Sequence, residues 1–303
     1  MDAPDRRPPR EPWRTLGWSA WLGWQIESNW ADVRLFLLYL VVKPVCASLM
    51  LACMFYAVQY AAKESGTASV RAAYLPFIYV SSACYGLVNA VMFGMSTVVI
   101  NDRESYRMLK YIYISPGRFQ AYFVGRGLAR WVEGFAGAVI TITTGLLIPD
   151  IRGSVGGQSV DWAWLAVFLA IGAVLLWSCG MLLASAMLNM SRSGQFLSEG
   201  IAGVVYFLSG VVFPISILPR WAQPIGLSLP TTYWLEGMRR ALTGPAAPGS
   251  PFAESPLAPW SKPELAGMLV GTTAVLTVVA QWFYRYSVAK AWRNGRLEET
   301  TGV

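Results

Sequence analysis

From Tyr74 to Ile100 the chain carries no charged side chain, and a second run without charge extends from Trp162 to Leu188. Either run is long enough to cross a hydrocarbon core of about 30 Å, which takes roughly 20 helical residues. A bilayer offers no water to pair backbone amides, so a continuous apolar run is read as a helix. A barrel strand would alternate apolar with polar residues instead. These runs predict an all-α integral membrane protein, and 303 residues leave little room for a soluble domain beside them.

Composition agrees, with 55% hydrophobic and only 14% charged residues, outside the usual range of soluble domains. Six segments have the length of a span: 35–60, 74–100, 128–149, 162–188, 196–218 and 265–284. The reading is one membrane domain over residues 1–303, with an outer loop at 219–263 and a tail at 288–303. No internal repeat is visible.

Lys and Arg set the expected orientation. With the N-terminus inside, sixteen of them fall on inner segments and seven on outer ones, four of the seven in a single long loop where the positive-inside rule counts for little. Both termini and the segment 101–127 are therefore expected on the cytoplasmic face of the cell membrane. The net charge of +7 then suits anionic lipid headgroups, and nucleic-acid binding is not expected.

The first thirty residues lack the short apolar core and cleavage site of a signal peptide. Residues 12–34 interleave Trp13, Trp18, Trp21, Trp24 and Trp30 with Arg14, Glu27, Asp32 and Arg34, a pattern suited to an interfacial helix in the headgroup layer.

Several chemistries are excluded. The chain has no histidine, which removes His-dependent triads and HExxH zinc sites. Cys46, Cys53, Cys84 and Cys179 fall inside spans without a C-x-x-C pair and read as small packing residues, so no metal site is expected. No lysine follows a glycine, so the chain lacks a P-loop and any ATP hydrolysis must reside on a partner. Every aspartate lies outside the expected spans, which argues against a buried carboxylate pair.

Apart from Arg130, counted with the inner segments, charges within the spans are Lys43, Glu133 and Glu199, all near the inner surface. They are expected to snorkel or to form a structural pair such as Lys43 with Glu133 or Glu199. The lack of a charge near the midplane counts against an ion-coupled pump. Uncharged polar and aromatic residues recur at helical spacing: Ser81, Ser82, Tyr85, Asn89 and Met92 on one broad face of the second span, and Tyr206, Ser209 and Phe213 in the fifth. Such stripes either glue helices together or line a path for a bulky amphipathic molecule.

The segment NDRESYRMLKYIYISPGRFQ, residues 101–120, interrupts this apolar chain. It is expected to form a short amphipathic helix over 101–115, started by Asn101 or Asp102 and ended by Pro116-Gly117. Asp102, Arg103, Glu104, Ser105, Arg107, Met108, Lys110 and Tyr111 are the candidate contacts for a cytoplasmic partner.

At Asp102-Arg103-Glu104-Ser105 and Ser115-Pro116, and again over LSGVVFPISILPRWAQPIGLSLPTTYWLEGMRRAL (208–242), the sequence resembles the permease subunits of type-2 ABC exporters. Those proteins similarly carry a charged coupling helix between the second and third spans. They also carry a Pro-rich outer motif, matched here by Ser209, Gly210, Phe213, Pro214, Leu218, Pro219, Trp221, Pro224, Pro230, Glu236 and Arg239. Proline cannot extend a helix interior, so the motif is expected to return toward the outer surface in short helices. Two departures stand out: Asn-Asp-Arg-Glu-Ser-Tyr replaces the Glu-Arg-x-x-Gly pattern of many relatives, and the outer loop is lengthened by the Pro-rich residues 244–260.

The resemblance implies a half-transporter. Two permease subunits, identical or related, would associate with two cytoplasmic ATP-binding subunits that carry ATP and Mg, while this chain binds no cofactor and catalyses nothing. The resemblance also implies outward movement of a drug, antibiotic or lipid-like molecule by alternating access. A secondary transporter or channel, and a membrane enzyme, are the competing classes.

Overall fold

The computed structural model describes residues 12–28, 32–64, 74–115, 119–155, 160–190, 194–244, 253 and 255–294. Pro116 to Arg118, most of the Pro-rich stretch 244–260 and the end of the tail 288–303 fall outside them, as do Arg6, Arg7, Arg10, Trp30, Arg71, Arg192 and Arg296. Among the described residues every regular element is helical.

Helix α1 (Pro12–Ser28) is followed by α2 (Val33–Glu64) and α3 (Tyr74–Val88). One π-turn, Asn89–Phe93, joins α3 to α4 (Gly94–Glu104) in a single rod. A short α5 (Leu109–Ile114) precedes α6 (Phe119–Gly145), α7 (Pro149–Val155), α8 (Trp162–Leu188) and α9 (Gly194–Leu208). The chain ends through α10 (Gln223–Ser228), α11 (Pro230–Thr243) and α12 (Lys262–Arg293).

Four of these are long and apolar enough to cross a membrane: α2, the α3–α4 rod, α8 and α12. The other two expected spans differ from their sequence boundaries. Helix α6 begins at Phe119, nine residues before the expected 128, and so takes Arg126 into the helix. Helix α9 ends at Leu208 after 15 residues, short of the expected 218. Its stop has a local cause. Gly210 adopts φ 69°, a left-handed conformation that costs glycine nothing, and Pro214 and Pro219 then prevent the helix from resuming.

The interfacial helix is also shorter than 12–34, ending at Ser28 with a new helix starting at Val33. Trp13, Trp18 and Trp21 are exposed along it. Its other side lies against α6 at glycine: a Cβ on Gly125 would sit 2.6 Å from both the Leu16 carbonyl oxygen and Ser19 Cβ. Small residues at such crossings let helices approach where lipid gives no hydrophobic drive to associate.

The core lies where the α3–α4 rod meets α6, α8 and α11. Leu75, Tyr79, Met95, Phe168, Leu175 and Trp234 are all buried there. Gly127 of α6 and Gly180 of α8 both close onto Met95, at 3.0 and 2.5 Å from its sulfur for an added Cβ. Helices α8 and α12 start together, because Asp161 caps α8 at the Trp164 amide and takes Lys262 Nζ at 2.7 Å. On α2 only a small share of the apolar stretch is buried, leaving Leu37, Leu38, Met50 and Met54 exposed.

Candidate functional site

Three places gather the polar side chains of this apolar protein. The first is the end of the α3–α4 rod. Sequence spacing suggests one helix over 101–115, but α4 runs on to Glu104, and the chain then turns at 105–108 before α5 begins. The turn folds back on the helix end, with the Tyr106 amide bonded to the Asn101 carbonyl and the Met108 amide to that of Asp102, both at 2.9 Å. Arg107 sits at its apex with φ 51°, a conformation uncommon for any residue but glycine.

Asp102 and Arg103 are not surface residues. Asp102 is fully buried and accepts from Tyr122 Oη at 2.7 Å and from Arg126 Nη2 at 3.5 Å. Arg103 is 4% exposed and donates to the Met187 carbonyl at 3.1 Å and to Glu104 at 3.3 Å. A buried charge needs such partners, and these come from α6 and from the end of α8. Of the other candidate contacts, Ser105, Arg107 and Tyr111 are exposed, as is their neighbour Tyr106, and Glu104 and Met108 are half-buried. The Lys110 side chain lies outside the described residues. Leu109 is buried, and Tyr113 meets Phe119 edge to face at 5.4 Å and Trp292 in a tilted contact at 5.0 Å, so α5 touches α6 and the far end of α12.

The second place is a cavity of about 540 Å³ between α2, the α3–α4 rod and α6. It separates residues that sequence spacing puts on one face. Ser82 and Asn89 line the cavity. Tyr85 and Met92 point elsewhere and are buried: Tyr85 donates to the Ala202 carbonyl at 2.7 Å and meets the Tyr206 ring at 4.8 Å. The division is that of any helix with two packed sides, one set by the turn of Ser82, Gly86 and Asn89 and the other by Tyr85 and Met92.

The expected pairs of Lys43 with Glu133 or Glu199 do not form. Glu133 accepts from Arg130 at 3.1 Å, and Glu199 accepts from Gln195 at 3.0 Å. Arg130 also meets Glu27 of α1 at 2.6 Å. Burial pushes the Glu27 carboxyl above its ordinary range, against the pull of Arg130.

The third place is α11, which falls in the outer loop 219–263 where short helices are expected. It is buried nearly throughout, including Glu236, Arg239 and Arg240. Glu236 takes Arg239 and Arg240 on its two oxygens, each at 2.9 Å. Arg239 reaches Ser81 Oγ at 2.7 Å and the Gly210 carbonyl at 2.5 Å, and lies 4.2 Å from the Phe77 ring centre. Arg240 donates to the carbonyls of Leu257 and Trp260. The i, i+3, i+4 spacing of one acid and two bases was the available signal for an internally neutralised helix. Ser209 is committed as well, at 2.6 Å from Thr231 Oγ1 and buried, and Phe213 packs on Phe207. Of the remaining motif residues, Pro214 and Pro219 flank a short 3₁₀ turn, Pro224 and Pro230 open α10 and α11, and Trp221 is exposed.

Long apolar helices, charged groups neutralised within the bundle and an exposed polar turn at one end define a helical membrane component. The family model described as ABC-2 type transporter matches residues 17–243, and the chain belongs to that family. A search of curated proteins gave no match. Permeases of this family are generally non-catalytic membrane components whose ATPase lies on a separate subunit.

Proposed function

We propose that this protein is the permease half of an ATP-driven exporter, moving an amphipathic or hydrophobic molecule out of the cytoplasm or inner leaflet by alternating access. The observation that carries the reading is the family match over residues 17–243. The exposed turn at 105–108 and the base of α5 then serve as the grip for a cytoplasmic ATP-binding subunit, two copies per complex, with ATP and Mg held there. Both termini are cytoplasmic in this reading, and α6 and α9 join the four long helices as spans.

Force applied at Arg107 or Tyr111 has a short route inward. Asp102 and Arg103 fasten the end of α4 to α6 and α8, so the turn moves with those helices and not as a loose loop. Conformational change is then differential binding: closure of the ATPases favours one arrangement of the bundle, and substrate favours the other.

The exposed apolar face of α9, with Phe196, Val204 and Phe207, supports contact with a second permease subunit. Tyr85 and Tyr206, paired beside that face, are the residues we assign to the substrate path. The test is copurification of the full chain with an ATP-binding subunit encoded beside it, followed by transport in vesicles. ATP-dependent transport by the pair is expected; transport by this chain alone, driven by an ion gradient, would favour a secondary transporter.

A further inference from the structure

The uncharged run of α12, from Leu265 to Tyr284, is 20 residues long. At 1.5 Å per residue it fills a hydrocarbon core of about 30 Å, and Arg285 marks its edge. Helix α12 nevertheless continues to Arg293. Trp292 stands eight residues past Tyr284, about 12 Å beyond the core, whereas the headgroup layer adds only about 5–8 Å on each side. A tilt of about 20° shortens that reach by less than about 1 Å. Trp282 and Tyr286, stacked with ring centres 6.1 Å apart, occupy the interfacial depth where such rings settle. Trp292 passes through that layer and emerges in water.

The contact of Tyr113 with Trp292 at 5.0 Å holds α5 at the same height. Side chains suited to a protein interior are therefore left in water: Ile114 is 72% exposed and Trp292 58%. Large apolar groups gathered at one end of a bundle mark a surface for another protein. Their surroundings are basic. Residues 101–118 hold four basic and two acidic side chains, and residues 285–303 hold the same numbers. Both acids of the first stretch are already engaged, Asp102 with Tyr122 and Arg126, and Glu104 with Arg103. Arg107 and Arg293 are exposed.

We infer that the end of α12, with Trp292 and Arg293, forms one docking surface with α5 for the cytoplasmic ATP-binding subunit, whose matching face is an apolar hollow with an acidic rim. Height decides against the membrane as the occupant, because the headgroups end short of Trp292. Charge decides against a second copy of this chain, which would present the same positive groups. The inference rests on the export reading and adds a second helix to the grip. A push on this surface reaches α12 directly, and through it α8, to which α12 is tied by Thr277 on Ser178 at 2.8 Å and by Lys262 on Asp161 at 2.7 Å.

The test uses the full chain in detergent with the ATP-binding subunit encoded beside it, and reads their affinity. Trp292→Ala should weaken assembly about tenfold, as loss of an aromatic anchor does. Arg293→Glu should weaken it by a similar factor at low salt and by less at high salt. A second measurement does not depend on affinity: Ile114→Cys and Arg293→Cys are treated with a water-soluble maleimide in vesicles with the inner face outward, each site being read by peptide mass spectrometry. Both cysteines should react in the chain alone and be shielded once the subunit is bound. Wild-type affinity in both Trp292→Ala and Arg293→Glu, or labelling that the bound subunit does not reduce, overturns the inference and leaves the export reading standing. Cysteines that stay unlabelled without the subunit put the surface in lipid and overturn it too. Failure of the wild-type pair to assemble at all overturns both.

Discussion

Glu236 and Arg239 lie 2.9 Å apart, one turn from each other on α11, with exposures of only 1% and 4%. An ion pair so deep is bound to its surroundings, because neither member can return to water unless the helix leaves the bundle. Arg239 ties α11 to α3 through Ser81 and to the turn after α9 through Gly210. Glu236→Gln should strand two buried guanidinium groups and destabilise the fold by about 3–5 kcal/mol. Unfolding titrated with denaturing detergent reads this directly, and a midpoint equal to that of the wild type would show that the pair is not structural.

Glycine contacts give a second prediction, because they locate where helices touch. Gly172 of α8 faces the Trp234 indole, and Gly237 of α11 faces the Phe168 ring, each too close for a Cβ. Trp234 is fixed there by its bond to the Phe168 carbonyl at 2.9 Å. Gly172→Ala and Gly237→Ala should each cost about 1–3 kcal/mol through overpacking. On α12, a Cβ at Gly267 or Gly271 meets nothing, so alanine there should be neutral or stabilise by roughly 0.5–1 kcal/mol. Thermal melts of the four variants should separate them into these two pairs.

The all-helical class was legible in the sequence because uncharged runs leave few choices. The run 162–188 coincides with α8 to the residue. What the sequence hid are the elements whose charges are neutralised by distant residues. Glu236, Arg239 and Arg240 read as part of a short outer helix, and their burial is invisible until the carbonyls of Gly210, Leu257 and Trp260 are placed around them. Asp102 and Arg103 resemble surface contacts because Tyr122, Arg126 and Met187 are far away in the chain. The stop of α9 at Leu208 was closer to hand, since Ser-Gly followed by Phe-Pro is a strong break, yet the apolar run continues through it. The split of Ser82 and Asn89 from Tyr85 depended on how α2, α6 and α9 surround α3, which one helix cannot reveal.

Two carboxylates outside the spans give opposite responses to pH. The hydrogen bond from Lys262 holds Asp161 below its ordinary value of 3.8, helped by the Trp164 amide. The stability it confers is complete above that value and is lost as the pH falls through the lower, folded one. Glu27 is raised above its ordinary 4.5, first by burial. The folded state then binds the proton more tightly, and this contribution declines as the pH rises from 4.5 through the folded value. Melting followed from about pH 6 to about pH 3 should show a weaker acid loss in Asp161→Asn and likewise in Glu264→Gln, whose carboxyl the Ser261 amide holds below its ordinary value.

Tyr85 and Tyr206 meet edge to face at 4.8 Å, where either aromatic face is worth about 0.5–1.5 kcal/mol to the other. If the substrate path follows this pair, Tyr85→Phe should keep the packing and lose the bond to Ala202, while Tyr206→Ala should change which compounds are carried. Transport of a panel of amphipathic compounds in vesicles measures it. An unchanged order of preference in both variants would place the path elsewhere.

In the function proposed here, ATPases outside the membrane drive this bundle through the turn at 105–108. Its most direct measurement is ATP hydrolysis and transport, recorded together in proteoliposomes containing the complex with Arg107→Glu or Tyr111→Ala. These exposed residues are not part of the buried Asp102 network, so the permease should still fold. The account predicts continued hydrolysis with transport lost or sharply reduced. Transport that stays in proportion to hydrolysis in both variants would contradict it.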